Sequence, residues 1–166
     1  VLITHFDHDH WNSGWSAKPW VGPTLRIHTR HLRRAERAGA LNRRTEVFTD
    51  GFDMGDVRVE PMLNHHDELG SAAFKLSAGG AAIGFATDLG RVSRALIDHF
   101  SGVDVLAIES NYCPALQQAA PRPRFLKERI TGGSGHLSNQ QCREAAERIG
   151  ARRVVPERLD QLPRLT

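Results

Sequence analysis

The 166 residues, 40% hydrophobic and 25% charged, suit one ordinary globular domain, and no apolar run approaches the roughly 20 residues a membrane span needs. Two cysteines, Cys113 and Cys142, exclude a disulfide framework and a C-x-x-C pair, and so point to a reducing, cytoplasmic setting. A net charge of +3 is too small to mark the whole chain as a polyanion binder.

The opening "VLIT" reads as a buried strand that runs straight into "HFDHDHW", and a strand so placed reads as the start of a fragment. "NSGWSAKPWVGP" is loop, rich in Gly, Pro and Ser. "TLRIHT" predicts a short strand and "RHLRRAERAGA" a helix that stops near Gly39. "TEVFTDGFDMGDVRVEPML" predicts strand, turn, strand, with Asp50-Gly51 as the hinge. The clearest hairpin is "SAAFKLSAGGAAIGFATD", two strands joined at Gly79-Gly80, the second apolar up to Thr87 and Asp88. "RVSRALIDHF" predicts a helix, "VDVLAIES" a buried strand with an acid at its end, and "RFLKERI" another helix. "SNQQCREAAERI" is a helix with Ser138 as N-cap and Gln141 completing a capping box. "ARRVV" is a final strand, cut by Pro156. Hairpin-rich strands first, then strands alternating with helices, give a mixed α/β layered sandwich.

The basic residues form two groups. Arg30, Arg33, Arg34 and Arg37 share a helical stretch, followed by Arg43 and Arg44; Arg122, Arg124, Lys127 and Arg129 make the second. Such groups bind polyanions or form solvated helix faces, and at this net charge the solvated face comes first. Trp11, Trp15 and Trp20 either pack locally or offer a surface on which a base or sugar stacks.

Chemistry concentrates at the strand ends. His5, Asp7, Asp9 and His10 stand at i, i+2, i+4 and i+5, so a tight loop offers His5 and Asp7 to one cation and Asp9 and His10 to a second. Imidazole with carboxylate suits Zn, Mn or Fe. "LNHHDE" places His65, His66 and Asp67 after a strand, where a third imidazole would complete the first metal's ligands. Asp88 in "FATDLG" ends a long apolar strand, the place for a carboxylate shared by two dications; taken alone, such an Asp is a turn or cap residue.

"THFDHDH", "NHHD", "ATDLG", "IESN" and "GGSGHLSN", in this order, resemble the successive motifs of metallo-β-lactamase-fold hydrolases. "TDLG", "ESN" and "GHLSN" resemble the YycJ-type branch, whose members are implicated as DNA exonucleases. The resemblance spans about residues 1 to 155. It implies a four-layer αββα sandwich, with 1–166 one domain lacking the first strands. It implies two divalent metal ions, Zn or Mn with Fe as a further choice. His5, Asp7 and His66 would hold the first and Asp9 and His10 the second, with Asp88 between them. His136, before a helix N-terminus that favours an anion, would contact the scissile group or protonate the leaving group. Asp9 and His136 are thereby the catalytic candidates, and His136, Ser138 and Asn139 the substrate contacts.

Three departures from the family pattern matter. Asp7 stands where the family usually has His, which shifts preference from Zn towards Mn or Fe. The histidine expected after the final strand is absent; Glu157 and Asp160 are the nearby acids, so the second metal is weakly held, carboxylate-bound or missing. The strands and glycine-rich segment that precede the first motif are also absent. Two dications against Asp7, Asp9 and Asp88 leave a slight positive field suited to hydroxide and an anionic phosphodiester. The implied function is hydrolysis of nucleic acid, with no membrane partner. The alternatives are a small-molecule ester or thioester hydrolase on the same scaffold, and an inactive fragment that binds metal or nucleic acid. His8 is expected exposed, His65 adjacent to the ligands, and His28, His31 and His99 ordinary surface or satisfied residues.

Overall fold

Short apolar runs broken by turns build two sheets. The computed structural model describes residues 1–18, 20–133 and 135–157, and the chain divides into two compact units, Val1–Phe52 and Asp53–Thr166.

In the first unit β1 (Leu2–Ile3), β2 (Leu25–His28) and β3 (Thr45–Phe48) run parallel in that order. Ile3 pairs in register with Ile27, and Ile27 with Val47. The core is Ile3, Leu25, Ile27, Ala35 and Ala40, with Phe6, Trp11 and Trp15 packed against it. Trp11 and Trp15 meet edge-on with centroids 5.9 Å apart, so these two take the local-packing role. The arginine-rich stretch forms a 3-10 turn, Thr29–His31, leading into α1 (Leu32–Arg37). Gly39 takes φ +65° beyond its C-terminus, where the sequence put the stop.

The expected hinge at Asp50-Gly51 does lie between two strands, but those strands belong to different sheets. β3 ends in the first sheet and β4 (Phe52–Met54) opens the second, so the dipeptide separates two sheets. The turn within this stretch lies at Gly55, φ +65°, between β4 and β5 (Val57–Asn64).

The second sheet has the order β4-β5-β6-β7-β8-β9. β5, β6 (Ser71–Ala78) and β7 (Ala81–Ala86) are antiparallel, whereas β8 (Val105–Glu109) and β9 (Arg153–Glu157) run parallel to β7. Gly79 and Gly80, φ +56° and +81°, turn the β6–β7 hairpin as a two-residue loop, as expected. The core joins strand residues Ala73, Ala86, Leu106 and Ile108 to Leu96, Ile97 and Phe100 of α2 (Arg94–Phe100), and to Cys142, Ala145 and Ile149 of the helix Asn139–Ile149. At Gly84 a Cβ would sit 2.9 Å from Phe100 Cδ1 and 3.0 Å from Leu106 Cδ1, so the α2 aromatic ring lies on bare strand backbone.

Two helices fill the stretch between β8 and the helix Asn139–Ile149. α3 (Pro114–Ala119), with Pro114 in its first turn, is a helix not expected from the sequence; α4 (Arg124–Thr131) is the "RFLKERI" helix. α5 (Asn139–Ile149) has the expected capping box, with Ser138 and Gln141 bonded reciprocally. β9 runs through Pro156 instead of stopping before it. It is an edge strand, where a missing N–H costs least.

Candidate active site

In the first unit, the Asp7 carbonyl accepts the N–H groups of His10 and Trp11, both at 2.9 Å, and closes "HFDHDHW" into one turn. That turn brings the His5 and His10 rings to 4.3 Å between centroids. The Thr4 hydroxyl lies 3.1 Å from His5 Nδ1 and 3.3 Å from His10 Nδ1. Held at Nδ1, both rings turn Nε2 towards carboxylates: His5 Nε2 is 3.8 Å from Asp7 Oδ2, and His10 Nε2 is 3.8 Å from Asp9 Oδ2. His5 is buried, Asp7 and Asp9 are about half exposed, and Arg34 Nη1 lies 3.6 Å from Asp7 Oδ1. His8 stands out in solvent, as its place between ligand candidates suggested. Four donors of mixed nitrogen and oxygen type thus share one turn, a set that suits Mn, Fe or Zn.

In the second unit β5 delivers His66, buried, with Nδ1 donating to the Gly135 carbonyl at 3.2 Å. A histidine whose Nδ1–H is taken by a carbonyl presents the Nε2 lone pair, which is how metal-ligating histidines are oriented. His65 turns to Arg91, with Nε2 2.9 Å from the guanidinium. Asp67 is a turn residue: its Oδ1 accepts the N–H groups of Leu69 and Gly70, and its φ is +44°. Asp88 follows β7 with φ +51° and is 3% exposed. The Ser71 hydroxyl, 3.1 and 2.9 Å from the Thr87 and Asp88 carbonyls, holds that bend. A non-glycine residue in left-handed backbone costs about 1–3 kcal/mol and persists only where its surroundings fix it.

Glu109 is a functional residue to which the sequence alone assigns no role. It ends β8 fully buried, and its Oε2 accepts the N–H groups of Leu89 (2.7 Å) and Leu137 (3.1 Å). Its Oε1 takes the Nδ1–H of His136 at 2.5 Å. His136 Nδ1 is also 3.4 Å from Asp88 Oδ1, and its ring centroid is 5.8 Å from that of His66. Asp88, Glu109 and His136 each offer one ligand atom, all within 4.8 Å of one another. The Asn111 amide also donates to Oε1, at 3.5 Å, and with four N–H donors on its carboxylate Glu109 is better suited to orient His136 than to bind a cation. The acid closing "VDVLAIES" was the available signal.

The hydroxyl of Ser138 is spent on the α5 cap, where it accepts from the Gln141 N–H and donates to Gln141 Oε1. Asn139 Oδ1 accepts from the Ser110 hydroxyl at 3.0 Å. Glu157 pairs in register with Glu109 on β9, and Asp160 lies outside the described residues. Of the isolated histidines, His99 bonds the Glu60 carbonyl and His28 accepts from the Arg30 N–H, while His31 is fully buried. Burial is the main cause that holds the His28 and His99 imidazoles below the usual histidine pKa.

Known proteins place this arrangement in context. Exodeoxyribonuclease WalJ of Streptococcus pneumoniae is 25% identical over 151 residues, covering 87% of this chain and 56% of that protein. The chain therefore spans about half the length of the curated relatives it matches. Among solved structures, the metallo-beta-lactamase fold protein YhfI from Bacillus subtilis superposes with a TM-score of 0.67 at 18% identity, over 93% of this chain and 62% of that one. The short form of human tRNase Z gives 0.64 at 17% identity, over 95% and 71%. The mixed α/β fold expected from the strand and helix pattern is the fold of these proteins. The model of the beta-lactamase superfamily domain matches residues 1–157, from the strand before "THFDHDH" to the last residue of β9, and the chain belongs to that family.

Proposed function

We propose that the protein is a metal-dependent hydrolase of phosphodiesters, acting on DNA. The observation that carries this reading is His136, clamped at Nδ1 by the buried Glu109 carboxylate and set beside Asp88. A ring fixed at Nδ1 directs Nε2 away from its holder, so a proton carried there is offered to a leaving-group oxygen. In the same reading His5, Asp7 and His66 hold one divalent metal, Asp9 and His10 a second, and Asp88 serves both. The motif order supports that assignment, as do the orientation of His66 by the Gly135 carbonyl and of His5 and His10 by Thr4. A metal held there would supply hydroxide near neutral pH by lowering the pKa of its water to about 7. Glu109 keeps the His136 ring in one tautomer, and Ser71 keeps the Asp88 bend.

DNA as the substrate is favoured by the similarity to the exodeoxyribonuclease WalJ. Asp7, Asp9 and Asp88 give a donor set richer in carboxylate than imidazole alone, which favours Mn or Fe over Zn. The test is cleavage of end-labelled single- and double-stranded DNA, and of bis(p-nitrophenyl) phosphate, in Mn and in Zn. An Asp88→Ala variant should lose at least about a hundredfold in rate. Activity that survives this change, or opening of a thioester or lactone without phosphodiester cleavage, refutes the proposal.

A further inference from the structure

The net charge of the chain is confined to one part of it. Residues 1–52 carry eight Lys and Arg against five Asp and Glu, whereas residues 53–166 carry fourteen of each. The whole excess of +3 therefore lies in the first unit. Arg30, Arg33 and Arg37 fall at i, i+3 and i+7 through the 3-10 turn and α1, and all three side chains are exposed on the face opposite buried His31 and Ala35. Arg33, Arg37 and Arg43 make no salt bridge among the described residues, in contrast to Arg26, paired with Glu46, and Arg34, which faces Asp7. The chain turns tightly after α1, with the Ala40 N–H on the Ala35 carbonyl, and leads directly to Arg43.

Arg43 meets the one tryptophan of the three that is not packed into the core. Its Cζ lies 3.8 Å from the Trp20 ring centroid, yet Trp20 is 72% exposed and Val21 beside it 83% exposed. A guanidinium covers one face of the indole, and the other face is open. What sets Trp20 apart from other exposed apolar residues is the guanidinium already stacked on it, which makes the ring one layer of a stack that a base can extend.

We infer that this surface, Trp20 with Arg43 and the Arg30–Arg33–Arg37 stripe, binds a single-stranded polynucleotide, a base stacking on the open face of Trp20 while the arginines line the phosphates. A stacking platform beside exposed cations is the arrangement that non-sequence-specific single-strand binders use. A duplex fits it poorly, because paired bases are already stacked on their neighbours. The purpose of the surface rests on the phosphodiesterase reading: it would hold the strand that the metal site cuts.

The test is fluorescence anisotropy of fluorescein-labelled dT15, of U15, and of dT15 annealed to dA15, measured in EDTA so that nothing is cut. Trp20→Ala should weaken dT15 binding about tenfold, with most of the affinity kept in Trp20→Phe. The double variant Arg33→Gln/Arg37→Gln should lower the slope of log K against log salt by about 1.4, that is about 0.7 for each single-strand phosphate left without its cation. U15 should respond as dT15 does, and the duplex should bind more weakly than either. The inference is overturned if dT15 does not bind, if the duplex binds best, or if both variants match the wild type. Hydrolysis of bis(p-nitrophenyl) phosphate by the wild-type chain reads the chemistry separately. If it is absent while the weakened binding of the variants holds, the hydrolase reading fails and the surface stands.

Discussion

Replacing Glu109 by Gln changes one atom of the side chain and separates two roles of its carboxylate. In the native site one oxygen takes two backbone N–H groups and the other takes His136 Nδ1–H. The glutamine carbonyl oxygen can keep the Leu89 and Leu137 N–H groups, which leaves its NH2 facing His136. A donor there cannot accept from Nδ1–H, so Nδ1 becomes an acceptor and the ring is held neutral with its single proton on Nε2; the doubly protonated ring, which gives up its Nε2 proton readily, is no longer stabilised by a carboxylate. One charge-assisted hydrogen bond is removed, about 1.5–3 kcal/mol. At about 2–4 °C per kcal/mol for a chain of this size, the melting temperature should fall by about 3–12 °C. Glu109→Ala is the blunter change: it orphans two buried N–H groups as well, a further cost of about 1–3 kcal/mol each, and is less informative for that reason. Loss of a positioned general acid costs about 10²–10⁴ in rate. Single-turnover cleavage of labelled DNA in Mn should show that loss for Glu109→Gln, and nitrogen NMR of the imidazole should show the proton moved from Nδ1 to Nε2. A folded Glu109→Gln protein that cleaves within about twofold of wild type, or that keeps Nδ1 protonated, refutes the role given to this pair.

Three further outcomes are expected. Thr4→Val keeps the shape of a buried residue but removes the hydroxyl between His5 and His10, and Mn affinity measured by calorimetry should weaken about 10- to 100-fold. Ser138→Ala removes the side-chain half of the α5 capping box and should cost about 0.5–2 kcal/mol, read from urea unfolding. His99 titrates below its unfolded value chiefly because it is buried, so the unfolded chain binds more protons as pH falls through about 6.5. Stability should then drop between about pH 7.5 and 5.5, and His99→Gln, which can still donate to the Glu60 carbonyl, should flatten that part of the melting profile.

What the sequence showed plainly was local. Gly79-Gly80 turns a hairpin because both residues take positive φ, and two apolar runs flank it at the right spacing. Ser138 and Gln141 form a capping box because the box needs only their spacing of three. Asp50-Gly51 marked the bend between β3 and β4, but a turn signal does not say which sheet the chain enters next. Pro156 misled for a related reason: a proline stops a strand only where its missing N–H would have been needed by a neighbour, and which strand stands on that side is a property of the whole sheet.

The candidate site divides along the same line. Groups proposed to meet a cation or a phosphate must be of particular types, so the candidates His5, Asp7, His66, Asp88 and His136 stand out by composition and spacing. Groups that hold them in place work largely through atoms every residue has: the Gly135 carbonyl on His66, the Asp7 carbonyl that closes the first loop, the Leu89 and Leu137 N–H groups on Glu109. Glu109 is the case between these two. Its carboxylate was visible at the end of "VDVLAIES", but its partner His136 lies 27 residues away and meets it only when β8 and the segment before α5 are brought together. Burial then decides its role, because a carboxylate taken fully out of water must be matched by donors, and the four it finds include the His136 ring, the proposed proton carrier.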